Sequence, residues 1–317
     1  MVIHMIDVVA MGELLIDFAC VSKDADGYPT MVAHPGGAPA NFLAALTKYG
    51  MKTALLAKVG NDAFGKMLIG TLEKAGIETS GVVSDADTFT TLAFVTLDET
   101  GNREFSFARK PGADTQIRFE ELNLKLINEA KVFHFGALSL TDEPARSATY
   151  KAVAYAKSKE KLISYDPNLR KPLWHTMEEA KEQILWGLKQ ADIVKISDEE
   201  VEFLWGCSPE EGADKLLIDF GVRLAMVTLG SKGAYLKNRN GSCYVTCPEV
   251  TVVDTTGAGD IFGGSAVSRI LSLGVVPDEL TVDHMNNIGS FASNAASRST
   301  EVLGGIPSIP KMELVLL

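Results

Sequence analysis

One stretch near the end of the chain combines residue types that can perform chemistry: residues 252–267 read VVDTTGAGDIFGGSAV. Gly257, Ala258 and Gly259 lie just before an apolar run with helical character, so their backbone N–H groups can form an anion site at a helix N-terminus. Asp260 follows in the first turn, where it can accept a proton from a hydroxyl group. Phosphoryl transfer from a nucleotide to an alcohol requires both features. Taken alone, Asp260 fits an ordinary acidic residue at a helix start better than a catalytic base.

The elements that must position these residues alternate along the chain. Near-continuous apolar runs are typical of buried parallel strands, and they read IDVVAM, TALLAKVG, KVFHFGAL, KLISYD, ADIVKIS and LAMVTLG, with a further strand-like run, TCPEVTVVD, at residues 246–254. Segments with helical spacing lie between them, and several end in glycine, as helix C-termini often do. The pattern predicts one α/β domain over residues 1–317, with a doubly wound, mostly parallel sheet and helices on both faces.

Polar and glycine residues follow several of the predicted strands. In open α/β sheets, ligands bind beyond the carboxyl ends of the strands. The segments at these positions are GELLID (residues 12–17), HPGGAPAN (34–41), DPNLR (166–170), SDEE (197–200) and LGSKGA (229–234). Because they would meet at one rim of the sheet, we expect a single site there.

Two segments interrupt the alternation and predict a smaller sheet. Residues 14–33 and 88–113 contain strand-like runs without a crossover helix, with turns expected at residues 26–27 and 100–102. We expect them to form a β-sheet lid at one edge of the domain, which would exclude water from a transfer reaction. A plain β-extension or a dimer contact would use the same surface. Their exposed edges favour a homodimer formed through the lid.

The composition limits the possible partners. The chain has 317 residues, 46% of them hydrophobic, and a formal net charge of −11, which is the wrong sign for nucleic-acid binding through bulk electrostatics. We expect small-molecule partners, no nucleic acid and no membrane, since no apolar run approaches the length of a membrane helix. The 4 cysteines are too scattered for a disulfide framework, which predicts a cytoplasmic location.

Two motifs come close to known nucleotide-binding fingerprints but fail in detail. GNDAFGKM, at residues 60–67, nearly matches a phosphate loop but ends in Met67, whose thioether cannot replace the hydroxyl that holds Mg²⁺. GAGDIFGG, at residues 257–264, lacks both the glycine spacing of a dinucleotide-binding loop and the acidic residue that would contact a ribose. A nicotinamide dehydrogenase is therefore an alternative by fold only.

In combination, the motifs resemble those of the ribokinase-like (phosphofructokinase B) family of sugar kinases over nearly the whole chain. The most specific of them is DTTGAGDIFGG, at residues 254–264, which is similar to the family's C-terminal signature. It is supported by GGAPAN (36–41), VGNDAFG (59–65), DPNLR (166–170) and VTLGSKGA (227–234). The resemblance implies the ribokinase-like fold and an ATP-dependent sugar kinase.

The resemblance also implies roles for individual residues. Asp260 would be the base, and the anion hole for the γ-phosphate would consist of Gly257, Ala258 and Gly259. The implied sugar contacts are Asp17, Gly36, Gly37 and Asn41. The implied nucleotide contacts are Lys195, Ser197, Thr228, Gly230, Gly233 and Ser293. The resemblance further implies that Asp254 and Thr256 contribute to a monovalent cation site, for K⁺, beside the anion hole.

One motif departs from the family pattern. The family often has Asn-x-x-Glu near the cluster of Mg²⁺ and phosphates, whereas this chain has Ser-Asp-Glu-Glu at residues 197–200. Ser197 and Glu200 also match a capping box, so Glu200 could start a helix, orient metal-bound water, or do both. Mg²⁺ would arrive with ATP and would need few dedicated protein ligands.

The acceptor is indicated by GELLIDF, FHFGALSL and REFSFARKPGAD, which resemble fructokinases more than ribokinases or adenosine kinases. We therefore expect transfer to a hydroxymethyl group of a ketose, with fructose as the first choice. Arg109 and Arg170 are further candidates for sugar contact, and a surface ion pair is the alternative role for each. A guanidinium also suits the carboxylate of 2-keto-3-deoxygluconate. A kinase for that acid, a ribokinase, and a sugar-binding sensor on the same fold stay open as alternatives.

Overall fold

The computed structural model describes residues 6–97 and 103–316. The turn predicted at residues 100–102 lies outside the described residues. In chain order, the strands are β1 (Val8–Met11), β2 (Leu15–Lys23), β3 (Pro29–Gly36), β4 (Thr53–Gly60), β5 (Val82–Asp85), β6 (Leu92–Leu97), β7 (Arg103–Ala108), β8 (Val132–Gly136), β9 (Leu162–Asp166), β10 (Ile193–Ser197), β11 (Leu224–Thr228), β12 (Ala234–Asn238) and β13 (Gly241–Val245). The α-helices are α1 (Ala38–Lys48), α2 (Ala63–Ala75), α3 (Leu124–Glu129), α4 (Ala145–Ser158), α5 (Met177–Leu188), α6 (Asp198–Trp205), α7 (Pro209–Phe220), α8 (Ala258–Leu273), α9 (Val282–Ser299) and α10 (Met312–Val315).

Within the described residues, nine strands form the main sheet, in the order β13-β12-β11-β10-β9-β8-β1-β4-β5. The pairings from β5 across to β11 are parallel, and those of β11 with β12 and of β12 with β13 are antiparallel. The chain builds the sheet outward in opposite directions from the boundary between β1 and β8, which makes that boundary the topological switch point. The prediction of a doubly wound, mostly parallel sheet is confirmed.

Helices cover both faces of this sheet. Helices α4 to α7 pack on one face, where Val9 and Met11 of β1 point, and α1, α2, α8 and α9 pack on the other, where Val8 and Ala10 point. Successive residues of a strand point to opposite faces, so a strand buried on both sides is apolar throughout. This explains why β1 is apolar throughout and why β4 is nearly so, with Lys58 paired to Asp85 and Glu121. None of the described helices combines the length and apolar character needed to cross a membrane.

The smaller sheet has four strands in the order β3-β2-β6-β7. Strand β2 pairs antiparallel with β3 and parallel with β6, and β6 pairs antiparallel with β7. Phe18 of β2 stacks on Phe94 of β6 with ring centroids 5.3 Å apart and meets Phe64 of α2 edge-on at 5.6 Å. These aromatic contacts attach the smaller sheet to the main body. The predicted second sheet is confirmed, and the parallel pairing of β2 with β6 is what joins its two halves.

The prediction of a strand at residues 246–254 is wrong. Strand β13 ends at Val245, and the chain then runs without regular structure to the start of α8. Val252 and Val253 are 58% and 55% exposed, so their apolar character does not reflect burial in a sheet. The backbone N–H groups of Val253 and Asp254 donate instead to the carbonyl oxygen of Thr300, at 2.7 and 3.0 Å.

Candidate active site

The carboxyl ends of the parallel strands meet at one edge of the main sheet. In register, Gly136 at the end of β8 lies beside Asp166 at the end of β9, and Ser197 at the end of β10 lies beside Thr228 at the end of β11. These residues come from distant parts of the chain. The carboxyl-end edge of the sheet therefore brings the predicted polar segments close together, as expected for this fold.

Helix α8 begins with a turn whose N–H groups can receive an anion. Gly257, the residue that precedes the helix, has φ of 75°, a left-handed conformation that glycine adopts at little cost. No side chain among the described residues caps this helix. Ala258, Gly259 and Asp260 form the first turn. Ala258 N donates weakly to the Thr255 carbonyl, at 3.3 Å, and the N–H groups of the turn together with the helix dipole favour a negatively charged group at this point.

Asp260 is buried, with 8% of its surface exposed, and both of its carboxylate oxygens have amide partners. Asn41 Nδ2, from α1, donates to Oδ2 at 2.9 Å, and Asn168 Nδ2, from the loop after β9, donates to Oδ1 at 3.2 Å. Burial raises the pKa of Asp260, while the hydrogen bond from Asn41 and the charges of Lys195 and Arg170 act in the opposite direction. A carboxylate with a raised pKa is a stronger base.

Asn41 was predicted as a sugar contact, and the structure places it against Asp260. It is 4% exposed, and its Oδ1 has no hydrogen-bond partner among the described residues. Asn168 was not singled out from the sequence. The sequence signal was the DPNLR segment, where Asn168 lies two residues after the end of β9, since asparagine tolerates a left-handed turn conformation better than most residues.

Lys195 lies beneath the first turn of α8 and is buried with Asp166. Lys195 Nζ is 3.0 Å from Asp166 Oδ2, and a Cβ atom built on Gly259 would lie 2.9 Å from the same Nζ. Burial opposes the charged form of Lys195, but the carboxylates of Asp166, Glu200 and Asp260 raise its pKa. The predicted nucleotide contact Lys195 thus brings a positive charge close to the α8 amides.

The smaller sheet supplies a second carboxylate to the same region. Burial raises the pKa of Asp17 on β2 to about 6; Arg170 lowers it, and the charges of Asp260 and Asp254 raise it further. A Cβ atom on Gly36 would overlap Asp17 Oδ2. The glycine that precedes α1, Gly37, has φ of 115° and packs so closely on the Glu13 backbone that a side chain would not fit. Asp17, Gly36 and Gly37 are therefore brought together, as predicted.

The guanidinium of Arg109 is bound by groups of the protein itself. Its Nε and one terminal nitrogen bind Asp114 Oδ2 at 2.8 and 2.7 Å. Its terminal nitrogens also donate to Thr141 Oγ1 at 2.7 Å, to the Leu138 carbonyl at 3.0 Å, and to Asp142 Oδ2 at 3.4 Å. All the guanidinium N–H groups are used within the protein, and the pair with Asp114 is buried. Arg109 joins the end of β7 to the turn after β8, so the structure does not support the predicted sugar contact.

Arg170 differs from Arg109 in its exposure and in its hydrogen-bond partners. It is exposed, and its guanidinium donates a long hydrogen bond of 3.5 Å to the neighbouring Leu169 carbonyl. Its charge acts on the carboxylates of both Asp17 and Asp260. Arg170 is thus an exposed cation close enough to influence one carboxylate on the smaller sheet and one in the first turn of α8.

Glu200 and Ser197 form the predicted capping box at the start of α6. Glu200 Oε2 accepts a hydrogen bond from Ser197 N at 2.8 Å, and Glu200 Oε1 accepts one from Leu169 N at 2.7 Å. Both oxygens therefore hold backbone amides of two different segments. In the part of the chain that the structure describes, no three His, Cys, Asp or Glu side chains gather as a metal cluster.

Asp254 organises the loop that leads into α8. Its Oδ1 accepts hydrogen bonds from Thr256 N at 3.0 Å and from Thr256 Oγ1 at 2.7 Å, and its Oδ2 accepts one from Gly304 N at 2.8 Å. Asp254 and Thr256, the residues predicted for a monovalent cation, thus shape the segment just before Gly257.

The predicted nucleotide contacts fall into two places. Thr228, Gly230 and Gly233 lie at and just beyond the end of β11, and the two glycines have φ of 58° and 107°. Ser293 lies on α9 and is 1% exposed, with no hydrogen-bond partner for its Oγ among the described residues. The structure therefore brings the first three to the rim of the sheet, and it buries Ser293 in the helix layer.

A helix N-terminus beside a buried carboxylate, at the carboxyl edge of an α/β sheet, is an arrangement that suits phosphoryl transfer to a small molecule. The chain belongs to the pfkB family of carbohydrate kinases, whose family model matches residues 5–312. Membership of a kinase family argues against the alternative of a nicotinamide dehydrogenase.

Individual relatives agree with the family. The chain is 42% identical over 311 residues to a protein named probable fructokinase-2 from Arabidopsis thaliana, with 96% of this chain and 92% of the relative covered. The fold of this chain matches the crystal structure of Xylella fastidiosa fructokinase with bound ATP, with a TM-score of 0.89 and 27% identity. The match covers 98% of this chain and 97% of the fructokinase chain. The fold also matches a fructokinase double mutant from Vibrio cholerae in a form with fructose, ADP and potassium ion bound, with a TM-score of 0.86, 29% identity, and 98% and 97% coverage.

Proposed function

We propose that this protein is an ATP-dependent fructokinase that transfers the γ-phosphate to a hydroxymethyl group of fructose. The observation that carries the proposal is the open first turn of α8, with Asp260 inside it and Asp17 of the lid within electrostatic reach. Fructokinases are among the relatives that match nearly the whole chain, which makes fructose the first acceptor to test.

Asp260 is the base in this mechanism. It takes the proton from the hydroxymethyl oxygen, which then forms a bond to the γ-phosphorus while the bond between the γ-phosphorus and the bridging oxygen of ADP breaks. Burial raises the pKa of Asp260, and this strengthens its affinity for that proton. The amide of Asn41 holds one carboxylate oxygen in place.

The first turn of α8 stabilises the phosphoryl group in transfer. The N–H groups contributed by Gly257, Ala258 and Gly259 lie where the helix dipole favours negative charge. Lys195 lies against Gly259 and adds a full positive charge nearby. These groups are fixed by the fold before ATP binds, so little reorganisation is needed when charge develops.

The lid side binds the sugar. Asp17 accepts hydrogen bonds from sugar hydroxyl groups, and Gly36 and Gly37 leave the backbone accessible to the ring. Arg170 contributes a further donor from the opposite side of the site. The nucleotide lies along Thr228, Gly230 and Gly233 at the rim, with Ser197 beside them and Ser293 on the helix that flanks this region.

The proposal also includes two cations, Mg²⁺ and K⁺. Mg²⁺ bound to the phosphates would neutralise charge on the transferred group. Asp166 Oδ1 is buried without a partner among the described residues, and Glu200 is close enough to raise the pKa of Asp166, so these two carboxylates fit a phosphate-bound Mg²⁺ held through water. Asp254 and Thr256 supply oxygen atoms of the kind that K⁺ prefers, and a potassium ion is present in the Vibrio cholerae relative.

We extend the proposal to assembly and location. The lid exposes the apolar side chains of Val21, Tyr28 and Val32, at 48%, 70% and 41%, which fits a homodimer formed through the lid. The cysteines are all free, which fits a reducing cytoplasm. Residues 1–317 would form a single domain, because both strand pairs of the lid leave the main body and return to it.

The test is ADP release with fructose, ribose, 2-keto-3-deoxygluconate and adenosine as acceptors. Fructose should give the highest kcat/KM. Fructose binding without ADP release from any acceptor would identify a sugar sensor instead. A preference for 2-keto-3-deoxygluconate would mean that Arg170 recognises a carboxylate.

A further inference from the structure

Asn168 has an unusual backbone conformation next to the proposed site. It lies in the loop between β9 and the turn at Lys171–Leu173, and its φ is 47°. Among the described residues, the other non-glycine residue with a positive φ is Glu160, at 56°. Asparagine tolerates the left-handed region better than most residues because its short amide can bond locally. Here the amide reaches a catalytic candidate instead.

Asn168 and Asn41 hold the carboxylate of Asp260 from two sides. Asn41 Nδ2 donates to Oδ2 at 2.9 Å from helix α1, and Asn168 Nδ2 donates to Oδ1 at 3.2 Å from the β9 loop. A carboxylate bound through one oxygen can rotate about its side-chain bonds. With a donor on each oxygen, its plane is fixed relative to both α1 and β9.

The loop that carries Asn168 is itself anchored on both sides. On one side, Leu169 N donates to Glu200 Oε1 at 2.7 Å, and the same Glu200 caps α6. On the other side, Asp166 forms the buried ion pair with Lys195, at 3.0 Å. The carboxylate of Glu200 thus joins the start of α6 to the segment next to Asn168.

We propose that Asn168 is a positioning residue that orients Asp260 toward the sugar hydroxyl group, with Glu200 holding its loop through the Leu169 amide. The inference rests on the proposed function of Asp260 as the base. It assigns Asn168 a role in the rate of transfer and no contact with fructose or ATP.

The amide also affects the ionisation of Asp260. A hydrogen bond donated to the charged form of a carboxylate stabilises that form and so lowers the pKa. The charged groups that act on Asp260 from the surrounding elements are Asp17, Asp166, Arg170 and Lys195. Removing the Asn168 amide leaves these charges in place, so the pKa of Asp260 should rise.

Three variants test the proposal. Asn168→Gly keeps the left-handed backbone and removes the amide, whereas Asn168→Asp keeps the side-chain shape and replaces the donor with a carboxylate. Glu160→Gly is the matched control, because it makes the same change of backbone freedom at the other left-handed residue, which is exposed and lies at the end of α4. For each variant, ADP release is measured against fructose, ATP and pH, and folding is checked by urea unfolding.

Asn168→Gly should lower kcat about 10- to 100-fold, since a small misplacement of a catalytic group has an effect of this size. KM for fructose and for ATP should change by less than about 3-fold, because ground-state binding is not altered. The acid limb of the profile of kcat/KM against pH should move to higher pH, and it should move further in Asn168→Asp. Glu160→Gly should match the wild type in all of these.

The proposal is overturned if Asn168→Gly matches Glu160→Gly in kcat and in the acid limb. A loss of activity that follows only a loss of unfolding free energy, with the acid limb unmoved in Asn168→Asp, would also overturn it. Failure of the proposed function looks different, because then the wild type releases no ADP with any sugar. An active wild type, an inactive Asp260→Asn and a normal Asn168→Gly would reject the role of Asn168 alone.

Discussion

Replacing Gly257 with alanine tests how strongly the site depends on the turn before α8. Gly257 has φ of 75°, and an added Cβ atom would lie 3.0 Å from Asn41 Nδ2 and 3.1 Å from Gly305 Cα. The left-handed conformation costs a non-glycine residue about 1–2 kcal/mol, and crowding in a packed region typically costs about 1–3 kcal/mol more. We therefore expect Gly257→Ala to lower the free energy of unfolding by about 2–5 kcal/mol.

The matched control is Gly274→Ala at the other end of the same helix. Gly274 has φ of 66°, and apart from its two chain neighbours no described residue has an atom within 4 Å of an added Cβ. This variant should lose only the conformational term of about 1–2 kcal/mol. The loss of freedom in the unfolded chain is the same for both variants, so the difference between them reports the contact with Asn41 and Gly305.

Urea unfolding, followed by tryptophan fluorescence, gives the two free energies, and ADP release gives the two activities. Gly274→Ala should keep wild-type kcat. Gly257→Ala should lose most of it under conditions where it is folded, because the displaced Asn41 no longer holds Asp260. If the two variants have the same stability and the same kcat, the reasoning about this turn is refuted.

Further predictions concern the charged residues. Arg109→Met should lower the free energy of unfolding by about 3–5 kcal/mol, because it leaves Asp114 buried without its partner; urea unfolding checks this, and a change near zero would contradict it. Arg170→Met should leave stability within about 0.5 kcal/mol of the wild type and raise KM for fructose about 10-fold, as expected for loss of a charged hydrogen bond; an unchanged KM would remove Arg170 from the sugar site. Asp17 has a pKa of about 6 in the folded protein against an ordinary 3.8, so the stability that its neutral form contributes is full at low pH and is lost as pH rises through about 6. Asp17→Asn should therefore gain stability relative to the wild type between about pH 4 and pH 7, by up to about 3 kcal/mol, and a difference independent of pH would count against the burial of Asp17.

Most of the scaffold could be predicted because buried parallel strands and the helices between them have clear periodicities. The runs that include β4 and β10 are mostly apolar because both faces are covered, and glycines such as Gly76 and Gly221 mark helix ends in the left-handed conformation. The strand prediction for residues 246–254 failed because the valines of this segment alternate like those of a strand. Their exposure follows from a loop path that only the tertiary structure fixes.

The candidate site was predictable where a single segment carries it, as in the turn at the start of α8. It was less predictable where the partner comes from elsewhere in the chain. Arg109 and Arg170 have the same chemistry in the sequence. Arg109 is bound by Asp114, five residues further along the chain, and by Thr141 in the turn after β8, which only the tertiary fold brings close. The contact of Asn168 with Asp260 likewise joins residues 92 positions apart.

The central claim is that Asp260 removes the proton while the first turn of α8 holds the phosphoryl group. The most direct measurement compares Asp260→Asn with the wild type in two assays: ADP release at saturating fructose and ATP, and fructose affinity by calorimetry. The account predicts a fall in kcat of about 10²- to 10⁴-fold with nearly unchanged fructose affinity, because the base acts in the transition state. A variant that keeps near-wild-type kcat would contradict it.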